Sequence, residues 1–109
     1  MANTFKLKTK ANVGVTTVGI YTAPAATTTV VIGITMANTS GSGVNVGVGI
    51  TRAGTTEDVK LLKNAPIPQG SSLEFMSGNK IVLDATDTVT VDSDTNNSVD
   101  ASLTIMEIT

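Results

Sequence analysis

Val44, Val46, Val48 and Ile50 alternate with Asn45, Gly47 and Gly49, and no Leu- or Ala-rich helical window competes with that pattern anywhere in the chain. A period of two sends successive side chains to opposite faces of an extended backbone, so the segment reads as a strand with one apolar face. The pattern recurs. Phe5 and Leu7 alternate with Lys6, Lys8 and Lys10; Val30, Ile32, Ile34 and Met36 with Thr29, Val31, Gly33 and Thr35; Val99, Ala101, Leu103 and Ile105 with Asp100, Ser102 and Thr104. Val89 and Val91 form a shorter run, and turn-forming clusters fall between at Ala23–Ala26, Asn38–Gly43, Arg52–Thr56 and Ser93–Asn97. Residues 1–109 are therefore expected to form a single all-β domain. About eight short strands at this spacing predict an antiparallel two-sheet β-sandwich, jelly-roll or Ig-like.

The core must be thin. Val occurs 13 times and Thr 19, whereas the aromatics are Phe5, Tyr21 and Phe75 alone. Two sheets packed ~10 Å apart suit such small β-branched side chains. The expected core is Phe5, Leu7, Ile20, Val30, Ile32, Ile34, Val46, Val48, Ile50, Leu73, Phe75, Val89, Val91, Leu103 and Ile105. Cysteine is absent, so packing or association must supply what a disulfide could have added.

The stretch Ala65–Asp87 carries the densest turn chemistry. Pro66 and Pro68 lack an amide donor and belong at a strand start or a sheet edge. Gly70 and Gly78 supply backbone freedom. The stretch reads as a compact hairpin, with one arm at Leu73 and Phe75, a turn at Ser77-Gly78-Asn79, and a second arm at Ile81–Leu83.

Histidine and cysteine are both missing, which removes Ser-His and Cys-His nucleophile systems and the usual zinc ligand sets. Asp92-Ser-Asp94-Thr-Asn96 has the spacing of half a calcium loop. The sixth and twelfth positions are Asn97 and Leu103, however, where glycine and a bidentate acid are needed. Asp84 with Asp87, or Asp87 with Glu74, could pair as glycosidase carboxylates, but without tryptophan the chain lacks the aromatic cleft such sites use. No phosphate-binding loop is present. A non-enzyme without catalytic residues, cofactor or metal is expected.

Net charge is −2, which argues against nucleic-acid binding. Charge is nevertheless segregated: Lys6, Lys8 and Lys10 open the chain without an acid, and from Asp84 onward there are six acids and no base. Met106 and Ile108 interrupt the polar face of the last strand. Two readings follow. Either the first strand pairs within its own sheet and its lysines are solvated, or Phe5, Lys6, Lys8, Lys10, Met106 and Ile108 contact a neighbouring subunit. No apolar run approaches the ~20 residues of a membrane span. The first residues lack a signal-peptide pattern, so synthesis in a cytoplasm is expected.

The segments Ile20–Val44, Ala65–Leu73 and Lys80–Val91, with the closing V-D-A-S-L-T-I-M-E-I, resemble small virion proteins of tailed bacteriophages of the marine and cyanobacterial type. The resemblance implies a β-sandwich structural module on the head, neck or tail, made in the bacterial host cytoplasm and carried on the virion. It implies repeated copies, with other virion proteins such as the major capsid protein as partners and with no catalytic residues. A capsid decoration protein is the leading expectation, with a neck or tail component second. A carbohydrate-binding attachment module is third, because with both phenylalanines in the core only Tyr21 remains to stack on a sugar.

Overall fold

The computed structural model describes residues 3–75 and 80–109. Nine strands follow one another: β1 (Asn3–Val13), β2 (Val18–Thr22), β3 (Thr28–Asn38), β4 (Val44–Arg52), β5 (Glu57–Ile67), β6 (Ser72–Phe75), β7 (Ile81–Leu83), β8 (Thr88–Ser93) and β9 (Val99–Ile108). They form two antiparallel sheets. One has the order β1-β9-β3-β6, with β7 also paired to β3; the other has the order β2-β8-β4-β5.

β6 and β7 do not make the expected hairpin. β6 pairs with Ile34–Ala37 of β3 and β7 with Thr29–Val31, so both run antiparallel to β3 along the same edge. They lie in succession along that edge. Local turn chemistry announces a reversal or a break but does not name the pairing partner. The expected turn at Ser77-Gly78-Asn79 lies outside the described residues. With β6 and β7 counted as one strand, the first strand pairs with the last, the second with the second-to-last, and so inward to the β4–β5 hairpin. This is the rolled-ribbon pairing of a jelly roll and excludes the Ig-like alternative.

Between the sheets lie Val13, Tyr21, Ala23, Val31, Ile34, Met36, Val44, Val46, Val48, Ile50, Ile67, Leu83, Val89, Val91, Val99, Ala101, Leu103 and Ile105. Each large aliphatic among them contributes about 1.5–3 kcal/mol by leaving water. Ile20 and Leu73 pack against this cluster from its margin. The side chain of Phe75 lies outside the described residues.

β3 departs from simple alternation. Its register against β9 shifts between Val31 and Gly33, leaving Ile32 as an extra residue. A bulge of this kind flips the phase. Thr29 and Val31 face inward before it and Ile34, Met36 and Asn38 after it, while Val30 and Ile32 are only half-buried. The expected core positions at Val30 and Ile32 are thereby corrected. A second shift, between Gly19 and Tyr21, turns the Tyr21 ring into the core.

The prolines behave as their chemistry requires. Pro66 sits in β5, the edge strand of its sheet. Pro68 begins a tight turn in which Ser71 N donates to Pro68 O at 3.1 Å, with Gly70 at φ 72° supplying the left-handed third position.

Candidate assembly surface

Directly opposed residues of an antiparallel pair share a face. Phe5 stands opposite Met106, Met106 opposite Val30, and Val30 opposite Val82. These residues form one apolar row across β1, β9, β3 and β7 on the outer face of the five-stranded sheet. Phe5 is 68% exposed and Val82 62%; Met106 and Val30 are half-buried. Leu7, opposite Thr104, and the half-buried Ile108, opposite Asn3, extend the patch. Leu7 is 64% exposed.

Phe5 and Leu7 were expected in the core, and both lie outside it. The alternation of β1 is correct but its sign is inverted. Lys6, Lys8 and Lys10 stand opposite the buried Ile105, Leu103 and Ala101, so the lysines occupy the core-side face of the strand. They can do so because β1 is the terminal strand of its sheet and the strand nearest it in the other layer, β2, has only five residues. The inward positions of β1 overhang the sandwich, and long basic side chains reach past apolar neighbours to water or to an acid.

That acid is Glu107. Lys6 Nζ lies 2.8 Å from Glu107 Oε1. On its other side Glu107 accepts a 2.6 Å hydrogen bond from the Tyr21 hydroxyl, which also lies 2.8 Å from Thr29 Oγ1. Tyr21, Thr29 and Glu107 are all buried. The hydrogen bonds from Lys6 and then Tyr21 hold the Glu107 carboxyl below the usual carboxylate range, against the opposing effect of burial. Burial, followed by the bond to Glu107, pushes the Tyr21 phenol up to about 12. Sequence reasoning missed this site, although a signal existed. Glu107 continues the inward phase of Val99, Ala101, Leu103 and Ile105, and an acid in an apolar phase needs a partner.

Four other carboxylates singled out in the sequence, Asp84, Asp87, Asp92 and Asp94, are occupied by structural bonds, while Glu74 stands exposed on β6 opposite Thr35. Asp92 accepts from Thr17 Oγ1 at 3.0 Å, Asp94 from Asn45 N at 3.1 Å, and Asn96 from Val15 N at 3.4 Å. The half-calcium-loop segment thus ties the β8–β9 turn to the β1–β2 loop and to β4. Asp84 and Asp87 are brought together by Arg52, whose Nη2 is 2.7 Å from Asp84 and whose Nε is 2.9 Å from Asp87. Among the described residues, no group of three or more acids could hold a metal ion.

No protein-family model and no curated protein matches the sequence. Solved structures do match in fold. The chain is similar to one from Bacillus endospore appendages, described as a novel family of disulfide-linked pili, with 16% identity, TM-score 0.57, and coverage of 99% of this chain and 87% of that one. It is similar to a chain of the cyanophage Pam1 capsid asymmetric unit at 11% identity and TM-score 0.52, covering 96% and 83%. It is also similar to one of infectious bursal disease virus, Gx strain, at 14% identity and TM-score 0.57, where it covers 95% of itself and 33% of that chain. At these identities the likeness is one of fold.

Proposed function

We propose that this chain is a non-enzymatic structural protein of a tailed-bacteriophage virion, present in repeated copies on the outside of the head as a decoration protein bound to the major capsid protein. The observation that carries the reading is the apolar row Phe5–Met106–Val30–Val82, flanked by Leu7 and Ile108, on the outer face of a sheet. An exposed patch built from several large apolar side chains marks an association surface rather than ordinary solvated protein. Four of its members are large residues at positions where a solvated β-face would carry Thr, Lys or Glu. Lys6, Lys8 and Lys10 lie on the opposite, core-side face of the same strand, where Lys6 pairs with Glu107.

Two further considerations support the reading. Similar folds occur in a cyanophage capsid and in a pilus, both of them assemblies. The sequence segments that resemble phage virion proteins span most of the jelly roll. Tyr21 cannot serve the carbohydrate-binding alternative as a stacking platform, since it is buried with its hydroxyl bonded to Glu107 and Thr29; Phe5 is exposed instead, in a row otherwise made of Met and Val.

The test is to label the chain and image purified virions. Label distributed over the head supports decoration. Label confined to the neck or tail replaces decoration with that placement, and absence from intact particles overturns the virion reading. Replacing Phe5 and Val82 with Ser should abolish loading while leaving the melting temperature of the isolated protein nearly unchanged.

A further inference from the structure

We infer that the Asn3–Lys10 arm of β1 exchanges between copies of this chain, lying on β9 of a neighbour instead of its own. The inference rests on the repeated-subunit reading and specifies how the copies are joined.

The arm is attached in a way that is fully reproducible in trans. Between Asn3 and Lys10 no side chain is buried in the core; the first that is buried is Val13. Phe5 and Leu7 point away from the sandwich. What holds the arm is its backbone ladder to β9 and the Lys6–Glu107 ion pair. The β9 edge and Glu107 are present in every copy, so a neighbour offers the same bonds in the same register. Because β1 is terminal in its sheet, lifting it breaks no other strand pair.

The fold also supplies a pivot. The β1–β9 register shifts between Lys10 and Val13, and Asn12 there adopts φ 58°, a left-handed turn of the chain that asparagine accommodates and that breaks the ladder at this point. Val13 stays anchored beyond the pivot, its carbonyl accepting from Ser98 N at 3.1 Å. A short hinge at a break in the ladder lets the element beyond it exchange between copies. Straightening at Ala11–Asn12, which gives up the exposed 3.0 Å hydrogen bond from Asn12 N to Asp100 Oδ1, moves the arm outward as a unit. Phe5 and Leu7 travel with it, so the apolar row on each outer face is then completed by a neighbour's residues.

The absence of cysteine makes a direct test possible. Thr9 and Ser102 are directly opposed on the outer face, so cysteines at both positions can be bridged. A full-length Thr9→Cys chain is mixed with a full-length Ser102→Cys chain at assembling concentration and oxidised. Exchange predicts mixed crosslinked dimers in several-fold excess over those formed by either variant alone. The double variant, oxidised when dilute to lock the arm onto its own β9, should remain monomeric and should regain assembly on reduction. The proposal is overturned if the mixture crosslinks no better than the separate variants, or if the locked chain assembles as readily as the reduced one. Crosslinking without incorporation into purified phage particles would remove the virion reading and leave exchange standing. Incorporation without crosslinking would do the reverse.

Discussion

The Tyr21 hydroxyl reaches across the interior from the four-stranded sheet and donates to Glu107 Oε2 of the five-stranded sheet at 2.6 Å. This bond couples the two layers where the core is otherwise aliphatic, and it gives stability a defined pH dependence. Glu107 is held below its ordinary range in the folded chain, so the unfolded chain binds its proton more readily. The associated stability is fully present above the unfolded carboxylate value of about 4.3 and is lost as pH falls from there through the lowered folded value. Tyr21 is raised, so its contribution is complete below about 10 and is lost as pH rises toward about 12. Urea unfolding of the parent and of Glu107→Gln, followed from pH 7 to pH 2, should show a steeper acid loss in the parent. Tyr21→Phe should cost about 1–3 kcal/mol at neutral pH by leaving a buried carboxylate short of a donor. Parallel pH profiles for parent and Glu107→Gln would contradict the account.

The bulge at Ile32 makes neighbouring substitutions unequal. Ile34→Ala removes a fully buried side chain and should cost about 2–5 kcal/mol. Ile32→Ala, at a half-buried position off the core face, should cost clearly less, and Val31→Ala more than Val30→Ala. Denaturant midpoints with unchanged slopes would measure this. A larger loss at 30 than at 31 would mean the phase does not flip.

Gly49 and Gly33 should respond oppositely to an added methyl group. A Cβ on Gly49 would sit 2.9 Å from the main-chain carbonyl of Val59 and 3.1 Å from Thr90 Oγ1. A carbonyl in the adjacent ladder cannot step aside, so Gly49→Ala should cost about 1–3 kcal/mol, as overpacking does. A Cβ on Gly33 meets nothing within 4 Å, and there Ala should be neutral or stabilise by up to about 1 kcal/mol through the unfolded chain. Thermal melts of the two variants test the contrast.

Asp84 and Asp87 both face Arg52 but should matter unequally. Asp87 is buried and also accepts from Ala53 N and Asp84 N, joining the β4–β5 turn to the turn before β8. Asp87→Ala orphans those amides and should cost about 2–4 kcal/mol. Asp84 is 73% exposed, and its pair with Arg52 should be worth less than about 1 kcal/mol. A double-mutant cycle with Arg52→Ala would separate them; similar coupling for both acids would refute the distinction.

The period of two was legible throughout, and with it the fold class and the inward faces of β4, β8 and β9. Alternation carries a period but no sign. On β9 the apolar set is the inner one; on β1 it is the outer one, because the layer opposite stops short and lysines fill the overhang. Ile32 looked like a core residue because a bulge leaves no mark in a run of apolar side chains. β6 and β7 looked like partners because sequence proximity favours hairpins, whereas both were claimed by β3. Met106 and Ile108 were readable as exceptions on a polar face and Phe5 was named beside them as a candidate contact, but only the register of β1 set Phe5 and Met106 opposite each other on the outer face.

The nested pairing, first strand with last and inward to β4–β5, sets an order in time. β4 and β5 are joined by a short turn and meet cheaply; each outer pair then closes a loop already shortened by the pairs within it. β1 and β9 join the most distant parts of the chain and are expected to dock last, since non-local contacts are the slow ones. In pulsed hydrogen exchange during refolding, amides of β4 and β5 should become protected before those of β1. Protection appearing first along β1 would reverse the order. A newly made chain would thus spend its final folding step with β9 uncovered and its own Phe5 arm unplaced, which is the interval in which a neighbour can intercept it.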